Sequence, residues 1–384
     1  MMENVQLAAS ASRHALTLLS KSTGQEKRGT RLSGKTYIKG NEAIAQAAIR
    51  AGCEAFFGYP ITPSSEIPET LAKEYPANLS VFLQAESELA AINMVYGAAC
   101  TGSRAMTASS SPGMSLKLEG ISYIAGAELP AVIVNVNRAG PGLGNIGPEQ
   151  SDYFQATKGG GHGGYRMIVL APNSVQEMAT LTMDAFELAE RYKNPVLILT
   201  DAYLGQMKED VVFPEREIAK TDNSSWAITG AKQREAHVIS SIHLDFTEME
   251  KHVAHLIEKY KTMEEEQVRF EEYRTDDAEL IGVAYGIVSR ILKDTVDRAR
   301  RRGMKVGMIR PITLWPFPHK TIGALAGRAK AFLTVELNTG QMVEDVRLAV
   351  NGQVPVHFHG RYGGNLPSGT EILEEMGRIM GEKT

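Results

Sequence analysis

The chain contains the stretch Glu86-Ser-Glu-Leu-Ala-Ala-Ile-Asn-Met-Val-Tyr-Gly97, a helix-like run with Glu88 near its start. Upstream lies a turn sequence, Gly58-Tyr-Pro-Ile-Thr-Pro-Ser-Ser65. Downstream, the apolar strand Ala131-Val-Ile-Val-Asn-Val-Asn137 is closed by Arg138. A carboxylate, a hydroxyl and a guanidinium therefore stand at the ends of predicted elements, where open α/β sheets build their ligand sites. The residues alone predict an α/β enzyme subunit with an anion site.

Strands and helices alternate on both sides of these segments. Short apolar strands are predicted over Ala105–Ser109, Ala131–Val136 and Val196–Thr200, and helices over Asn41–Arg50 and Val175–Arg191. This alternation predicts a parallel sheet that is covered by helices.

The alternation of strands and helices stops over residues 205–245. A long polar helix is then predicted over Thr247–Tyr273 as a surface connector. A second α/β unit follows, with a helix over Ile287–Arg302 and strands over Val306–Ile309, Ala331–Val335 and Val354–Phe358. We therefore predict a first α/β domain over residues 36–240, a helical connector over 241–277 and a second α/β domain over 278–384.

Composition limits the class of function. With 384 residues and 43% apolar residues, the chain can bury full cores in two or three domains. A net charge of −4 gives no reason to expect nucleic acid as a partner, and the lack of an apolar run of about 18 residues predicts no membrane span. Cys53 and Cys100 are the only cysteines, so a four-cysteine iron–sulfur cluster or structural zinc site cannot be built from this chain alone. So few cysteines suit a reducing compartment, and we expect a cytoplasmic protein.

Residues 1–35 differ from the rest, with six basic residues against two acidic ones, a net charge of +4. Two interpretations stay open. The segment is either a disordered extension, including a misassigned start, or an organelle transit peptide, in which case the protein is organellar. We leave the segment out of the predicted fold.

The three opening segments together resemble the aminopyrimidine-binding half of a thiamine diphosphate enzyme. The motif Tyr59-Pro-Ile-Thr-Pro-Ser-Ser65 narrows the resemblance to the α subunits of 2-oxoacid:ferredoxin oxidoreductases. Near the C-terminus, Arg310-Pro-Ile-Thr-Leu-Trp-Pro-Phe-Pro318 and Arg361-Tyr-Gly-Gly364 resemble the second domain of the same chains. The resemblance spans about residues 36–384. It implies a pyrimidine-type thiamine diphosphate domain followed by a transketolase C-terminal-like α/β domain.

The resemblance implies a catalytic role for Glu88. In thiamine diphosphate enzymes a glutamate nine residues before a helix glycine contacts the pyrimidine ring nitrogen, and Glu88 and Gly97 have that spacing. Glu86 is the competing candidate and lies on a different face of the helix. Without the resemblance, a glutamate in the first turn of a helix is most often a surface residue that compensates the helix dipole.

Other site residues are implied in the same way. Thr62 matches the threonine beside the substrate 2-oxoacid, and Arg138 matches the arginine that pairs with the substrate carboxylate. Pro60, Ser110 and Ser111 are implied to contact the cofactor. Taken alone, these residues belong to a Pro-rich turn, a surface strand end and a strand–helix turn. His162 is a weaker candidate for the pocket.

The stretch Gly140-Pro-Gly-Leu-Gly144 bears on the substrate. It looks closest to the 2-oxoisovalerate (3-methyl-2-oxobutanoate) type, whereas the 2-oxoglutarate type more often has Gly-Pro-Ser-Thr-Gly there. The implied reaction converts a branched-chain 2-oxoacid and coenzyme A to acyl-CoA and CO₂, with reduction of ferredoxin. Three alternatives remain: the same reaction on 2-oxoglutarate or pyruvate, a non-oxidative thiamine diphosphate enzyme, and a non-catalytic electron-transfer or scaffold subunit.

The chain lacks the Gly-Asp-Gly segment that holds the diphosphate and its Mg²⁺ in such enzymes. The resemblance therefore implies one half of a composite site, with no metal ligands of its own. A β subunit is expected to carry the diphosphate, the Mg²⁺ site and an iron–sulfur cluster. A γ subunit and a ferredoxin or ferredoxin-like chain are expected as further partners.

Overall fold

Most of the strands assemble into two large sheets with helices packed against them, as seen in a computed structural model that describes residues 34–75, 80–216 and 221–381. The predicted extension over residues 1–35 lies outside the described residues, apart from its last two positions. Residues Thr36–Thr384 form one compact unit that contains both sheets.

The strands of the described residues, in chain order, are β1 (Thr36–Lys39), β2 (Ala55–Gly58), β3 (Val81–Gln84), β4 (Ala105–Ser109), β5 (Ala131–Asn137), β6 (Ile168–Leu170), β7 (Pro195–Asp201), β8 (Lys208–Val211), β9 (Phe270–Tyr273), β10 (Leu280–Val283), β11 (Val306–Pro311), β12 (Thr313–Trp315), β13 (Ala331–Glu336) and β14 (Val356–Gly360). The helices are α1 (Gly40–Arg50), α2 (Glu66–Glu74), α3 (Glu88–Cys100), α4 (Ser111–Gly126), α5 (Tyr153–Thr157), α6 (Val175–Tyr192), α7 (Ala202–Gln206), α8 (Phe246–Glu266), α9 (Gly286–Arg301), α10 (His319–Ala326), α11 (Met342–Val350) and α12 (Gly369–Met380).

The first sheet has the strand order β12-β6-β7-β5-β4-β2-β3 and is parallel except for β12, which pairs antiparallel with β6. The seven residues of the central strand β5 are all buried. A continuous apolar run is typical of a strand that is covered on both faces by helices. The predicted parallel, helix-covered sheet is confirmed.

The second sheet has the order β14-β13-β10-β11-β9, with β9 antiparallel to β11 and the other pairs parallel. The first sheet takes its edge strand β12 from the C-terminal half of the chain. The strands β1 and β8 form a separate antiparallel pair. The exact domain boundaries at 240 and 278 remain a prediction.

The long polar helix is shorter than predicted. It ends at Glu266 rather than Tyr273, and residues Phe270–Tyr273 form β9 of the second sheet. The register of β9 places Glu271 opposite Arg310. The Arg310 guanidinium is buried, and its Nε atom lies 3.3 Å from a Glu271 carboxylate oxygen. Pairing with β11 and this ion pair favour the strand over the helical propensity of a polar segment.

Three C-terminal helices, α10, α11 and α12, were not predicted. The last of them carries a local signal, because Ser368 and Glu371 form a capping box at its start. None of the described helices has the length and apolar character needed to cross a membrane.

Candidate active site

Three loops meet where the parallel strands β4 and β5 end. Ser110 and Ser111 follow β4 directly, and Arg138 follows β5. The turn that contains Thr62 follows β2 and reaches the same edge, because the Arg138 side chain contacts it. The carboxyl ends of parallel strands are the usual ligand-binding edge of an α/β sheet.

Glu88 is the first residue of α3. The preceding Ser87 caps the helix, since its side chain accepts a hydrogen bond from the Ala90 backbone N–H at 3.1 Å. The Glu88 side chain is 5% exposed, whereas Glu86 is exposed. The burial therefore favours Glu88 over Glu86 as the candidate catalytic carboxylate.

The Glu88 carboxylate lies against the first turn of α4. A Cβ atom built on Gly113 would lie 2.5 Å from Glu88 Oε1 and 2.2 Å from Ser109 Oγ. Because no side chain at position 113 fits this space, the glycine lets α4 approach both groups. The carboxylate and the Ser109 hydroxyl are thus both buried against Gly113.

Arg138 is not the surface arginine that its strand-end position suggested. It is 8% exposed. Its Nη1 donates to the Thr62 carbonyl at 2.8 Å and its Nη2 to the Leu143 carbonyl at 3.2 Å. Nε is buried and has no hydrogen-bond partner among the described residues. Two of the five guanidinium N–H groups therefore join the loops, and the others are available to an anion.

Thr62 is exposed and lines a cleft of about 670 Å³ together with Ser65, Ile146 and Tyr203. Pro60, two residues earlier, is also exposed. His162 is exposed, lies edge-on to Tyr123 and is not part of the lining of this cleft.

The two serines differ in their environment. Ser111 Oγ donates to the Arg138 carbonyl at 3.2 Å and accepts from the Arg138 backbone N–H at 3.1 Å, so it ties the two loops together. Ser110 is fully buried, and within the described part of the chain its hydroxyl has no partner. The same holds for Ser109 Oγ and Asn137 Nδ2. Buried polar atoms without partners are rare in folded proteins, and a ligand or an ordered water can supply the missing hydrogen bonds at this edge.

Sequence reasoning missed Lys117, a fully buried residue in the middle of α4. Its Nζ donates to Thr107 Oγ1 on β4 at 3.0 Å. Burial lowers the pKa of Lys117 from 10.5 to about 8, and the nearby charge of Glu88 opposes this shift. The available signal was the lysine's position between Leu116 and Leu118 in the sequence.

Two family models match the chain. Residues 46–275 match the family described as "Pyruvate flavodoxin/ferredoxin oxidoreductase, thiamine diP-bdg", and residues 278–372 match "Pyruvate:ferredoxin oxidoreductase core domain II".

Curated relatives match over nearly their full length. A protein named ketoisovalerate oxidoreductase subunit VorB from Methanothermobacter marburgensis is 57% identical over 345 residues, which are 90% of this chain and 98% of that protein. A VorB from Methanothermobacter thermautotrophicus is 54% identical over 347 residues, 90% of this chain and 98% of its own. A 2-oxoglutarate synthase subunit KorA from M. marburgensis is 36% identical over 376 residues, 90% of this chain and 99% of its own.

Solved structures agree with the fold. The 2-oxoglutarate:ferredoxin oxidoreductase from Magnetococcus marinus superposes with a TM-score of 0.81 at 25% identity. The match covers 91% of this chain, which spans 65% of the length of that solved chain. A split-gene transketolase, with a TM-score of 0.53 at 12% identity over 91% of this chain and 100% of its own, is similar in fold alone. These findings confirm the resemblance inferred from the sequence, and the chain belongs to the 2-oxoacid:ferredoxin oxidoreductase family as an oxidoreductase subunit with a thiamine diphosphate-binding domain.

Proposed function

We propose that the chain is the α subunit of a thiamine diphosphate-dependent oxidoreductase that converts a branched-chain 2-oxoacid, ketoisovalerate, and coenzyme A to acyl-CoA and CO₂ and reduces ferredoxin. One observation carries the proposal. A buried glutamate, Glu88, and the hydroxyl of Ser109, which has no hydrogen-bond partner among the described residues, both lie against Gly113 at the sheet edge where Arg138 joins two loops. The relatives named for ketoisovalerate support the substrate.

The polar groups fit an aminopyrimidine ring. That ring carries both hydrogen-bond donors and acceptors. The unpartnered hydroxyls of Ser109 and Ser110 can donate or accept, and the Asn137 amide can donate. The carboxylate of Glu88 completes the set. We assign Glu88, Pro60, Ser110 and Ser111 to the cofactor, with Ser111 acting through its bonds to the Arg138 backbone.

When bound, thiamine diphosphate supplies the nucleophilic carbon and the electron sink for decarboxylation. Glu88 would hold a proton between its carboxylate and the pyrimidine ring nitrogen, and its burial keeps water from competing for that proton. Arg138 would orient the substrate carboxylate with its remaining N–H groups, and the exposed Thr62 hydroxyl would donate to the 2-oxoacid.

A partner subunit is part of this proposal, because relatives of the chain are named as subunits of such oxidoreductases. Large apolar side chains stand exposed on the loops and helix of the site, with Leu143 at 81% and Ile146 at 63% exposed, and Tyr59 beside Pro60 and Leu89 beside Glu88 are exposed as well. We assign this rim to a β subunit that carries the diphosphate, the Mg²⁺ and an iron–sulfur cluster. A γ subunit and a ferredoxin-like chain complete the proposed assembly, which we place in the cytoplasm.

The proposal is tested on the complex that forms when the chain is co-purified with its partner subunits. We expect kcat/KM to be highest for ketoisovalerate and lower for 2-oxoglutarate and pyruvate. Glu88→Gln should leave assembly intact and slow hydrogen–deuterium exchange at the cofactor C2 about 10²–10⁴-fold, the usual scale for an acid–base group. Glu86→Gln is the matched control and should exchange at the wild-type rate.

Two results would contradict the proposal. A clear preference for 2-oxoglutarate or pyruvate would refute the branched-chain assignment and favour the same reaction on that acid. Unchanged exchange in the Glu88 variant would leave the chain without its catalytic carboxylate and favour a scaffold role.

A further inference from the structure

The turn that carries Thr62 is held from two sides. On one side, Arg138 Nη1 donates a hydrogen bond to the Thr62 carbonyl at 2.8 Å. On the other side, Asn41 Nδ2 donates to the next carbonyl, that of Pro63, at 2.7 Å. Asn41 is the second residue of α1, and its side chain is fully buried. Two consecutive carbonyls of the turn are therefore anchored by two different side chains.

A second acceptor fixes the orientation of the Asn41 amide. The same Nδ2 atom donates to Glu66 Oε2 at 2.8 Å, so both of its hydrogens are used. The Glu66 carboxylate also accepts from Gln206 Nε2 at 2.9 Å and pairs with Lys39 Nζ at 2.8 Å. Gln206 ends α7, and Lys39 directly precedes α1. The Asn41 amide is thus the buried end of a network that ties the turn to α1 and α7.

The packing around Asn41 indicates that its two donor bonds are the reason for an amide at this position. A Cβ atom built on Gly205 of α7 would lie 2.7 Å from Asn41 Oδ1, so the α7 backbone closes over the side chain. Oδ1 is buried and accepts no hydrogen bond from the described residues. Burying such an oxygen costs free energy that an apolar side chain of similar size avoids. Only the bonds to Pro63 and Glu66 offset that cost.

We propose that Asn41 is a positioning residue that fixes the Thr62–Pro63 turn, so that the Thr62 hydroxyl meets the 2-oxoacid in one geometry. This role rests on the proposed function of Thr62. Thr62 and Glu66 both line the cleft of about 670 Å³, so the network reaches the wall of that cleft. Thr62 is exposed, and an exposed turn keeps one geometry only when the protein behind it anchors its backbone.

Steady-state kinetics of the assembled complex test the inference. Asn41→Ala removes both donor bonds and leaves the bond from Arg138 in place. KM for the 2-oxoacid should rise about two- to tenfold, the range that the loss of one hydrogen bond gives. KM for coenzyme A should stay near its wild-type value. Glu66→Ala removes the second acceptor and should also raise KM for the 2-oxoacid. Glu66→Gln retains an oxygen for Asn41 and should raise it less.

Asn194 provides the matched control, because it is the same kind of buried asparagine far from the turn. It is fully buried, its Nδ2 donates to the Arg166 and Pro195 carbonyls at 2.9 and 3.0 Å, and its Oδ1 has no partner within the described residues. It directly precedes β7, at the sheet edge opposite the strand ends that carry the site. Asn194→Ala should lower the melting temperature, as Asn41→Ala does, and leave KM for the 2-oxoacid unchanged.

Thr62→Val, which removes the hydroxyl at similar volume, separates two kinds of failure. If it raises KM for the 2-oxoacid and Asn41→Ala does not, Asn41 is structural only, and the inference is overturned with the proposed function intact. An equal rise in the Asn194 variant would overturn it as well, since general destabilisation then explains the effect. If Thr62→Val leaves KM unchanged, the proposed role of Thr62 fails and the inference falls with it. Should Asn41→Ala not assemble, equal KM values for the two Glu66 variants would overturn the inference, and a higher KM for Glu66→Ala would support it.

Discussion

At the scale of single residues, burial distinguishes between residues that the sequence alone leaves equivalent. Glu86 and Glu88 are two residues apart and chemically identical, yet one is exposed and the other is covered by α4. Arg138 shows the same effect, because its strand-end position suggested the surface and its side chain instead joins the Thr62 and Leu143 loops.

The guanidinium of Arg138 supports a prediction about substrate binding. Arg138→Ala should raise KM for every 2-oxoacid by about tenfold or more, since a charged hydrogen-bonding partner is lost. The KM for coenzyme A should change much less. Arg138→Lys should recover only part of the loss, because an ammonium cannot make two parallel bonds.

Steady-state kinetics of the assembled complex provide the measurement. The melting temperature of each variant serves as the control for the two bonds that Arg138 makes to loop carbonyls. An unchanged KM for the 2-oxoacid in the alanine variant would show that Arg138 only joins loops.

At the scale of elements, the close approach of α4 to α3 forms the wall of the site. Two glycines of α4 permit it. A Cβ on Gly113 would meet Glu88 and Ser109, and a Cβ on Gly120 would lie 2.6 Å from the Ile92 side chain. A helix pair can approach this closely only where side chains are absent at the contact.

Gly113→Ala therefore tests the contact between α3 and α4. The added methyl group must push the Glu88 carboxylate or the Ser109 hydroxyl aside, at a cost of about 1–3 kcal/mol for overpacking. We expect kcat/KM to fall at least about tenfold, measured on the assembled complex.

Gly97→Ala is the matched control, since it makes the same change in the interior of α3. A Cβ there meets no heavy atom of the described residues within 4 Å. It should keep activity and stabilise the helix by about 0.5–1 kcal/mol. Equal activity of the two variants would mean that Glu88 tolerates displacement.

At the scale of the whole molecule, a buried polar network joins the two sheets. Gln150 from the first half donates to the Tyr285 carbonyl at 3.1 Å and accepts from the Leu337 backbone N–H at 3.0 Å. Asp201 at the end of β7 is buried nearby and caps α7 by accepting from two backbone N–H groups. Burial raises the pKa of Asp201 from 3.8 to about 6.

This pKa makes stability depend on pH. Between about pH 4 and pH 6 the folded chain keeps the Asp201 proton that the unfolded chain has lost, so stability falls as the pH rises through this window. A shift of about two units corresponds to about 3 kcal/mol. Asp201→Asn keeps the capping oxygen and removes the ionisation. The variant should match wild type at pH 4 and be the more stable above pH 6.

Thermal unfolding of the purified chain from pH 4 to pH 8 measures this difference. The raised pKa values of the half-buried Asp152 and the buried Glu336 act in the same direction, and they are present in both proteins. A constant difference in melting temperature across the range would show that Asp201 does not titrate in this window.

The sequence by itself determined the central strands and helices of the first sheet, because their signals are local: apolar runs, capping residues and the spacing of 3.6 residues per turn. It also determined the candidate residues Glu88, Thr62 and Arg138 through their motifs. Tertiary structure decided what local signals do not contain. It ended α8 at Glu266, since β9 pairs with β11, and it buried Lys117 of α4 against β4, where the Thr107 hydroxyl accepts its hydrogen bond. These outcomes depend on contacts between residues far apart in the chain, whose energies exceed local propensity.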